Sequence, residues 1–218
     1  MATQVVKGIH LPADDTHFKG QVEANPLFDG RGTYQFNKVE LAIPQVKQFR
    51  RAVDVGAHVG LWTRVLAKKF KFVHAFEPVQ AHLECFELNL KGQNNVELHR
   101  VALGDRVGSV NIQTTPENSG NAHVAKAGLP VNLQTLDSVL DWIPDLDFIK
   151  IDVEGFEQAV VLGGERLIKK FKPTMVVEQK GSNAERAGFK TGSVIDLLKG
   201  WGYKEVWVRS GDHCLVGR

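Results

Sequence analysis

The sequence has few cysteines and no long apolar run. Its 218 residues include only two cysteines, Cys85 and Cys214, which lie far apart in the chain. Two unclustered cysteines provide neither a disulfide framework nor a cysteine-based zinc motif, which agrees with a reducing compartment. No apolar stretch approaches the ~18–20 residues of a membrane-spanning helix, and the N-terminus lacks a signal-peptide core. We therefore expect a cytoplasmic protein that has no membrane partner.

Strong charge of one sign is also absent. The net charge is +2 with both signs interspersed, and the chain is 43% hydrophobic and 24% charged. This balance argues against a nucleic-acid partner and is typical of a folded globular protein. The length suits one α/β domain with a short appendage. We expect residues 1–50 to form an N-terminal extension that is a candidate lid, and residues 51–218 to form the main domain.

The chain has no phosphate-binding loop of the Walker type, yet residues 52–69 follow the order strand, glycine turn, helix. Ala52 to Val55 is a short apolar run typical of a strand buried on both faces. Gly56 and Gly60 then form a turn, and residues 61–69 have the apolar spacing of a helix. Such a turn exposes free backbone N–H groups, at which an anionic ligand can bind. Alone, the same pattern also fits an ordinary turn.

A second strand supplies an acid at the expected distance from this turn. Residues 72–76 are apolar and end at Glu77-Pro78, and Pro78 marks the strand end because it cannot donate a ladder hydrogen bond. Glu77 lies roughly 20 residues past the turn, where nucleotide-binding α/β units place an acid that binds ribose hydroxyls.

The helix start indicates which nucleotide fits. A dinucleotide site needs a third glycine there, but the sequence has Leu61-Trp62. A ribose-bearing ligand without a pyrophosphate fits better, and S-adenosylmethionine is the common one.

Four motifs carry a family resemblance that spans about residues 34–178. They are Asp54-x-Gly56-Ala57-His58-x-Gly60, Phe76-Glu77-Pro78, Ala102-Leu103-Gly104-Asp105 and the run from Ile149 to Glu157, IKIDVEGFE. Together they resemble the FkbM family of S-adenosylmethionine-dependent methyltransferases. The resemblance implies a Rossmann-like, doubly wound α/β fold with a mostly parallel seven-stranded sheet that ends in an antiparallel hairpin.

The resemblance also implies a set of cofactor-binding residues: Asp54, Gly56, Ala57, His58, Gly60, Glu77, Asp105 and Asp152. The glycine turn would approach the methionine part, Glu77 would hold the ribose and Asp105 the adenine. His58 stands where the family usually has asparagine, so the resemblance carries the backbone role of the turn and not a contact from this side chain. By itself, Asp105 fits a plain turn residue equally well.

The strand over residues 147–152 places a lysine in an apolar setting. Phe148, Lys150 and Asp152 share one face, and a buried lysine needs a partner. Asp152 and Glu154 are the natural partners at the strand end. One reading is a structural ion pair. The other is that Asp152 or Glu154 holds the methionine amino group or deprotonates an acceptor hydroxyl, while Lys150 lowers the carboxylate pKa or stabilises the developing oxyanion.

Glu178 ends the next predicted strand and is a second candidate catalytic acid, which the resemblance also marks. The carboxylates of Asp152, Glu154 and Glu157 raise the possibility of Mg²⁺ or Ca²⁺. We expect no metal there, since Lys150 already supplies positive charge and Glu157 falls on the following helix.

The resemblance implies O-methylation of a sugar or another small metabolite, with S-adenosylhomocysteine as the product. The residues do not decide between oxygen and nitrogen, or the oligomeric state. Two alternatives stay open: a binding module on the same fold without turnover, and an NAD-type oxidoreductase. In the N-terminal segment, Thr33–Phe36 is expected to form a short strand.

Overall fold

The chain folds around one seven-stranded sheet with helices on both faces. The computed structural model describes residues 2–218. Its strands are β1 (Thr3–Val6), β2 (Ile9–Pro12), β3 (Leu27–Phe28), β4 (Arg31–Gly32), β5 (Arg51–Val55), β6 (Phe72–Phe76), β7 (Val96–His99), β8 (Ala102–Leu103), β9 (Gly108–Gln113), β10 (His123–Ala125), β11 (Leu129–Gln134), β12 (Phe148–Ile151), β13 (Thr174–Glu178), β14 (Tyr203–Arg209) and β15 (Asp212–Gly217).

Nine α-helices are found in residues 2–218: α1 (Thr16–Ala24), α2 (Phe36–Ala42), α3 (Leu61–Ala67), α4 (Gln80–Asn89), α5 (Leu136–Val139), α6 (Glu157–Gly163), α7 (Glu165–Phe171), α8 (Asn183–Arg186) and α9 (Ser193–Gly200). Two 3₁₀ helices cover Ile43–Gln45 and Pro116–Asn121. Within the same residues, no helix combines the length and the apolar character needed to span a bilayer.

The large sheet has the strand order β14-β15-β13-β12-β5-β6-β7. Strands β13, β12, β5, β6 and β7 are parallel to one another, whereas β15 is antiparallel to both β13 and β14. The predicted mostly parallel seven-stranded sheet with a terminal antiparallel hairpin is therefore confirmed. Because parallel strands point the same way, the carboxyl ends of β5, β6, β12 and β13 meet at one edge of the sheet.

The sheet is buried on both faces, and its alternation sorts the side chains into two cores. Ile149 and Ile151 pack in the core that includes residues of α6, α7 and α9. Phe148 packs on the opposite face, with residues of α3 such as Trp62. Lys150 alternates onto this second face, as the sequence predicts, so its ammonium group lies beneath α3.

A second sheet, of order β10-β9-β11-β8, covers one end of the clefts described below. Strands β9 and β11 of this sheet are antiparallel, with Val110 opposite Val131. The 3₁₀ helix Pro116–Asn121 follows β9 and brings the polar segment 118–121 toward the carboxyl edge of the large sheet.

The N-terminal segment packs onto this framework through polar contacts. Asn89 at the end of α4 accepts a hydrogen bond from His10 N–H at 2.8 Å and donates to the carbonyls of His10 and Val59, both at 2.9 Å. The strand predicted for Thr33–Phe36 is wrong. Gln35 has a φ of 52°, which interrupts extended backbone, and α2 begins at the next residue. The domain boundary near residue 50 stays a prediction.

Candidate functional site

The glycine turn after β5 brings two strand ends into close contact. Gly56 and Gly60 have φ values of 76° and 85°, a region that favours glycine. A Cβ on Gly56 would overlap the backbone carbonyl of Asp152, and one on Gly60 would overlap the side chains of Leu90 and Phe86. The glycines are therefore required for packing as well as for the turn itself.

Four N–H groups of this turn, those of Gly56, Ala57, His58 and Gly60, already have acceptors within the protein. Gly56 and Ala57 both donate to the carbonyl of Phe76 at 3.0 Å, and Gly60 donates to Ala57 at 2.8 Å. The turn also holds His58, at a φ of 52°, whose N–H donates to Glu77 Oε2 at 2.9 Å. The turn therefore holds the His58 backbone against Glu77 at the carboxyl edge of the sheet.

Glu77 is buried at the end of β6, and its carboxylate is held by three hydrogen bonds. Besides His58, Val79 N–H donates to Oε1 at 2.8 Å and His82 Nδ1 lies 3.1 Å from the same oxygen. A carboxylate has about four acceptor positions, so one on Oε2 is not used by these contacts. The surrounding protein fixes the orientation of the side chain and leaves it able to accept a hydrogen bond from a ligand.

A first cleft, of about 620 Å³, opens beside Glu77. Its walls are mostly apolar and come from the ends of β5 and β6, from the β7–β8 connection and from β9 and β10. The apolar lining includes Val55, Phe76, Val101, Leu103, Ile112 and Phe156. An apolar cleft with one oriented carboxylate suits a ligand that combines a flat ring with hydroxyl groups.

A second cleft, of about 750 Å³, adjoins the first and is more polar. It has wall residues in common with the first cleft, namely Gly56, His58, Gly120, Asp152 and Glu154. Its other polar lining residues are His17, Tyr34, Asn118, Asn121, Lys150 and Lys180. The two clefts therefore form one continuous site in which Asp152 belongs to both halves.

Lysines and carboxylates alternate at the floor of the second cleft. Lys150 Nζ lies 3.3 Å from Asp152 Oδ2 and 3.7 Å from Asp54 Oδ1. Lys150 and Asp54 are directly opposite each other in the β12–β5 ladder, and Asp54 also accepts from Thr63 Oγ1 at 2.6 Å. The predicted Lys150–Asp152 pair is thus present. The second partner is Asp54 and not Glu154, so that part of the expectation is wrong.

Asp152 and Glu178 hold opposite protonation states. Burial alone would raise the pKa of Asp152, but the ammonium groups of Lys150 and Lys180 outweigh it and hold that pKa below its usual range. Burial and the charges of Asp152 and Glu154 raise the pKa of Glu178 to about 10, although Lys180 contacts its carboxyl group. At neutral pH, Asp152 is the anion and Glu178 carries a proton.

The side chains of Lys150 and Lys180 both stay protonated. Burial acts to lower the pKa of Lys150, but Asp152 and Asp54 more than compensate and raise it. The pKa of Lys180 is also raised, chiefly by Glu178 against the opposing effect of burial. Burial raises the pKa of Tyr34 to about 12, so its hydroxyl keeps its proton and can donate a hydrogen bond into the second cleft.

Glu154 and Glu157 differ in environment. Glu154 has a φ of 54° and accepts from Asn183 Nδ2 at 2.7 Å, and burial followed by the charge of Asp152 raises its pKa. Glu157 is buried, and its Oε1 accepts from the N–H groups of Val153 (3.2 Å) and Gly155 (2.9 Å). Glu157 thus caps the turn before α6.

Among residues 2–218, the acidic trio whose oxygens lie within 4.8 Å of one another is Asp152, Glu154 and Glu178. The trio considered from the sequence had Glu157 in place of Glu178. Oxygen ligands suit Mg²⁺ or Ca²⁺. Lys150 and Lys180 already place two ammonium groups against these carboxylates.

A buried chain of hydrogen bonds joins the N-terminal segment to the glycine turn, and no pattern in the sequence indicates it. The hydroxyl of Ser119 contacts the Asp15 carboxylate, and His58 Nε2 lies 2.6 Å from the same hydroxyl. Burial, with the nearby His82 and Lys150, lowers the pKa of His58 well below its usual value. The ring is therefore neutral, and because the Ser119 proton points to Asp15, His58 carries its proton on Nε2.

The structure does not bring Asp105 to either cleft. Its carboxylate is paired with Arg106 at 3.0 Å on the surface, beside a separate depression that Phe156 and Phe189 also line. The walls around the apolar cleft come instead from Val101, Ala102 and Leu103, just before it in the chain. The other predicted cofactor residues either line the clefts or support the residues that do.

The strand order, the glycine turn after β5 and the acid after β6 define a class I methyltransferase fold, and open α/β sheets of this kind bind ligands at the carboxyl edge. Within that class, the chain belongs to the methyltransferase FkbM domain family, whose model matches residues 54–205. No curated protein matches the chain at a significant level.

Solved structures show the same fold at low sequence identity. The N-methyltransferase NodS from Bradyrhizobium japonicum, in complex with S-adenosyl-L-homocysteine, is 12% identical with a TM-score of 0.52, over 89% of this chain and 88% of NodS. Aeropyrum pernix fibrillarin, with natively bound S-adenosyl-L-methionine, is 12% identical with a TM-score of 0.50, over 89% of this chain and 82% of its own.

A methyltransferase FkbM from Methylobacillus flagellatus is 19% identical, with a TM-score of 0.49. The match covers 77% of this chain and 43% of that longer protein, so the chain spans less than half of that protein's length.

Proposed function

We propose that the chain binds S-adenosylmethionine and transfers its methyl group to a hydroxyl of a small polar acceptor, such as a sugar. The observation that carries the proposal is Glu77. Its buried carboxylate is oriented by His58 and Val79 and keeps an acceptor position free beside an apolar cleft. This arrangement suits a ribose hydroxyl with an adenine on the apolar walls. NodS and fibrillarin, which hold the product and the donor in their structures, share the fold.

The residues of the first cleft fit this cofactor in three parts. Val101, Leu103 and Phe156 offer flat apolar walls for adenine, and Glu77 accepts from the ribose. Asp152, which stays ionised at neutral pH, lies where the first cleft joins the second and can accept from the methionine amino group. The glycine turn lets the backbone at Gly56 approach the ligand closely.

The second cleft supplies the groups that an acceptor hydroxyl needs. The bound cofactor supplies an electrophilic methyl group on a sulfonium. Burial raises the pKa of Glu154, and its side chain lines both clefts. We therefore assign Glu154 the role of the general base that removes the proton of the acceptor hydroxyl. Tyr34 and Lys180 remain protonated and orient the acceptor by donating hydrogen bonds. Asn118 and Asn121 add donors and acceptors suited to a polyhydroxylated ligand.

Calorimetric titration with S-adenosylmethionine tests the cofactor assignment. The wild-type chain should bind it and not NAD. Glu77→Ala should weaken binding at least about 10-fold, since a hydrogen bond to a charged group contributes roughly 1.5–3 kcal/mol. Glu77→Gln keeps the side-chain shape and should also weaken it. Glu87→Ala, which removes an exposed partner of Arg100, is the matched control and should leave the affinity unchanged.

Transfer of an isotope-labelled methyl group to a panel of sugars and polyols tests the acceptor class. Glu154→Gln should lower kcat by about 10²–10⁴-fold, the range of general-base catalysis, with little change in cofactor affinity. Unchanged cofactor binding by both Glu77 variants would reject the site. Methyl transfer to amines, with no transfer to hydroxyls, would reject the acceptor class while leaving the cofactor assignment intact.

A further inference from the structure

Two histidines and a glutamate meet on the outer strands of the large sheet, away from the carboxylate cluster. His74 lies on β6, and Glu97 and His99 lie on the edge strand β7. In the parallel ladder, His74 is opposite Glu97 and Phe76 is opposite His99. Because side chains alternate along a strand, His74, Glu97 and His99 all point to the same face.

The three potential ligand atoms are spaced as the ligands of one small metal ion would be. His74 Nδ1 lies 3.1 Å from His99 Nε2 and 3.4 Å from Glu97 Oε2, and His99 Nε2 lies 3.9 Å from Glu97 Oε1. Tetrahedral zinc, with bonds of about 2.0–2.1 Å, places its ligand atoms roughly 3.3 Å apart. The His74–His99 distance and the distance from His74 to Glu97 Oε2, 3.1 and 3.4 Å, are close to the edge of a zinc tetrahedron, and one ligand atom from each of the three residues lies within 4.8 Å of the others.

The burial of the cluster suits a site with an entrance on one side. The side chain of His74 is fully buried, and its Nε2 has no hydrogen-bond partner in residues 2–218, so its polar contacts run through Nδ1. The side chain of Glu97 is 46% exposed, and it forms the solvent side of the cluster. The nearby cation, Arg51, is paired with Asp145 at 2.8 Å and packs over Trp142.

We propose that His74 Nδ1, His99 Nε2 and the Glu97 carboxylate bind one zinc ion, with a fourth position open to water. Two imidazoles and one carboxylate form a donor set that zinc accepts readily. The ion would link β7 to β6. The sequence-based expectation of no metal rested on cysteine spacing and on the acids at the carboxyl edge, and neither involves these histidines.

The site is separate from the clefts but next to them. The ring of His99 stacks on Phe76 with 4.4 Å between centroids and 12° between planes, and Phe76 lines the first cleft. The N–H of Glu77 donates to the carbonyl of His99 at 3.1 Å. A zinc ion there would fix the edge strand β7, whose His99 carbonyl accepts the hydrogen bond from Glu77, the residue proposed to hold the ribose.

Zinc titration of the untagged, chelator-treated full chain, followed by calorimetry, tests the proposal. The wild-type chain should bind one zinc ion and gain thermal stability. His99→Gln and Glu97→Gln should each weaken zinc binding about 100-fold or more, beyond what the loss of a supporting hydrogen bond produces. His74 is kept, since replacing a fully buried ring risks the fold. His213→Gln is the matched control, because His213 forms a single pair with Glu205 at 2.6 Å and should bind as wild type.

Cobalt substitution supplies a second measurement. Co²⁺ bound by the wild-type chain should show the intense visible absorption of a four-coordinate ion, and His99→Gln should lose it. Absence of zinc binding by the wild-type chain, or unaltered binding by His99→Gln, would overturn the proposal and leave the two histidines as a simple hydrogen-bonded pair. Loss of binding in His213→Gln would place the zinc elsewhere and overturn it too. None of these measurements involves the methyl donor or the acceptor.

Discussion

The ammonium group of Lys150 lies between the carboxylates of Asp54 and Asp152, on a strand whose two faces are both buried. The side chain of Asp54 is fully buried and its Oδ1 has no hydrogen-bond partner among the described residues. A buried carboxylate depends on such a counter-charge, since desolvation disfavours its ionised form. Lys150 thus supports both the local structure and the ionisation of Asp152.

Replacing Lys150 by methionine tests this dependence. Lys150→Met keeps the volume of the side chain but removes the cation that lies against the fully buried Asp54 and the partly buried Asp152, so the unfolding free energy should fall by about 3–5 kcal/mol. Urea unfolding at pH 7 measures it. Lys169→Met removes an exposed lysine paired with Glu165 on α7 and should change stability by less than about 0.5 kcal/mol. Equal effects of the two substitutions would show that the buried pair has no special role.

The partner of Lys150 marks a limit of sequence reasoning at this scale. Alternation along one strand correctly placed Lys150 and Asp152 on the same face. It could not show that Asp54 is directly opposite Lys150, because the register between β5 and β12 depends on how two distant segments pair. Asp105 is the opposite case, because the family resemblance implies a contact with adenine whereas its side chain pairs with Arg106 at the surface, so its role stays a prediction.

At the scale of single elements, the turn between β5 and α3 combines a backbone constraint with a packing constraint. Gly56 and Gly92 both have positive φ, at 76° and 84°. A Cβ on Gly56 would overlap the carbonyl of Asp152, whereas one on Gly92 would meet no atom within 4 Å. Substituting alanine at each glycine therefore separates two costs in unfolding free energy: that of a positive φ, which both positions have, and that of a steric overlap, which only Gly56 has.

We expect Gly92→Ala to destabilise the protein by roughly 1–2 kcal/mol, the cost of a left-handed alanine. Gly56→Ala should cost about 3 kcal/mol or more, since the end of β12 must also move. It should also weaken S-adenosylmethionine binding, whereas Gly92→Ala should not. Chemical unfolding and calorimetric titration of both variants measure these effects. Similar stability losses in both variants would mean that the end of β12 moves freely.

The α1 helix is held over the second cleft by Asp15. This buried carboxylate accepts from Phe18 N–H at 2.7 Å, which caps α1, and from Ser119 N–H at 3.1 Å. Phe18 lies against Gly120, where a side chain would overlap its ring. Asp15 therefore joins α1 to the 3₁₀ helix that carries Asn118 and Asn121.

Replacing Asp15 by alanine should release this contact. Asp15→Ala removes the helix cap and leaves the Ser119 donors unpaired, at a cost of about 2–3 kcal/mol. Amide hydrogen exchange should accelerate in α1 and in residues 116–121 but not in β12 and β13. The neighbouring, exposed Asp14→Ala is the control and should leave exchange unchanged. Uniform acceleration across the chain by Asp15→Ala would instead indicate global destabilisation.

The elements were predicted well where periodicity and turn residues are strong. The strand, turn and helix over residues 52–69, strands β6, β12 and β13, and the final hairpin are those that the sequence indicated, whereas α7 and β10 were not predicted. The N-terminal segment was not predicted, because its structure depends on contacts with Asn89 and Ser119 far along the chain. Such polar contacts leave no periodic pattern in either partner.

For the molecule as a whole, buried acids make stability depend on pH in an unusual direction. Burial raises the pKa of Glu157 from 4.5 to about 7. An acid whose pKa is higher in the folded protein binds its proton more tightly there, so the unfolding free energy is highest below the unfolded pKa and falls as the pH rises. The loss attributable to Glu157 should be complete above about pH 7.

Glu157→Gln tests this behaviour while keeping an oxygen that can accept from Val153 and Gly155. Between pH 4.5 and 7.5, stability of the wild-type chain should fall relative to that of the variant by about 3 kcal/mol, as 1.36 kcal/mol per pKa unit gives. Urea midpoints across this range measure the difference. Glu165→Gln, an exposed substitution on α7, should not alter the slope. A wild-type chain that gains stability relative to Glu157→Gln as the pH rises would contradict the assignment.

The two clefts share Gly56, His58, Gly120, Asp152 and Glu154. A ligand in one cleft therefore contacts the same side chains as a ligand in the other, and each alters the charge and the freedom of groups that its neighbour uses. Thermodynamic linkage makes this influence mutual: by whatever factor occupation of the first cleft changes affinity at the second, occupation of the second changes affinity at the first by the same factor. The affinity of either cleft for its ligand therefore has two values, one with the other cleft empty and one with it filled. The ratio of these two values is the same for both clefts.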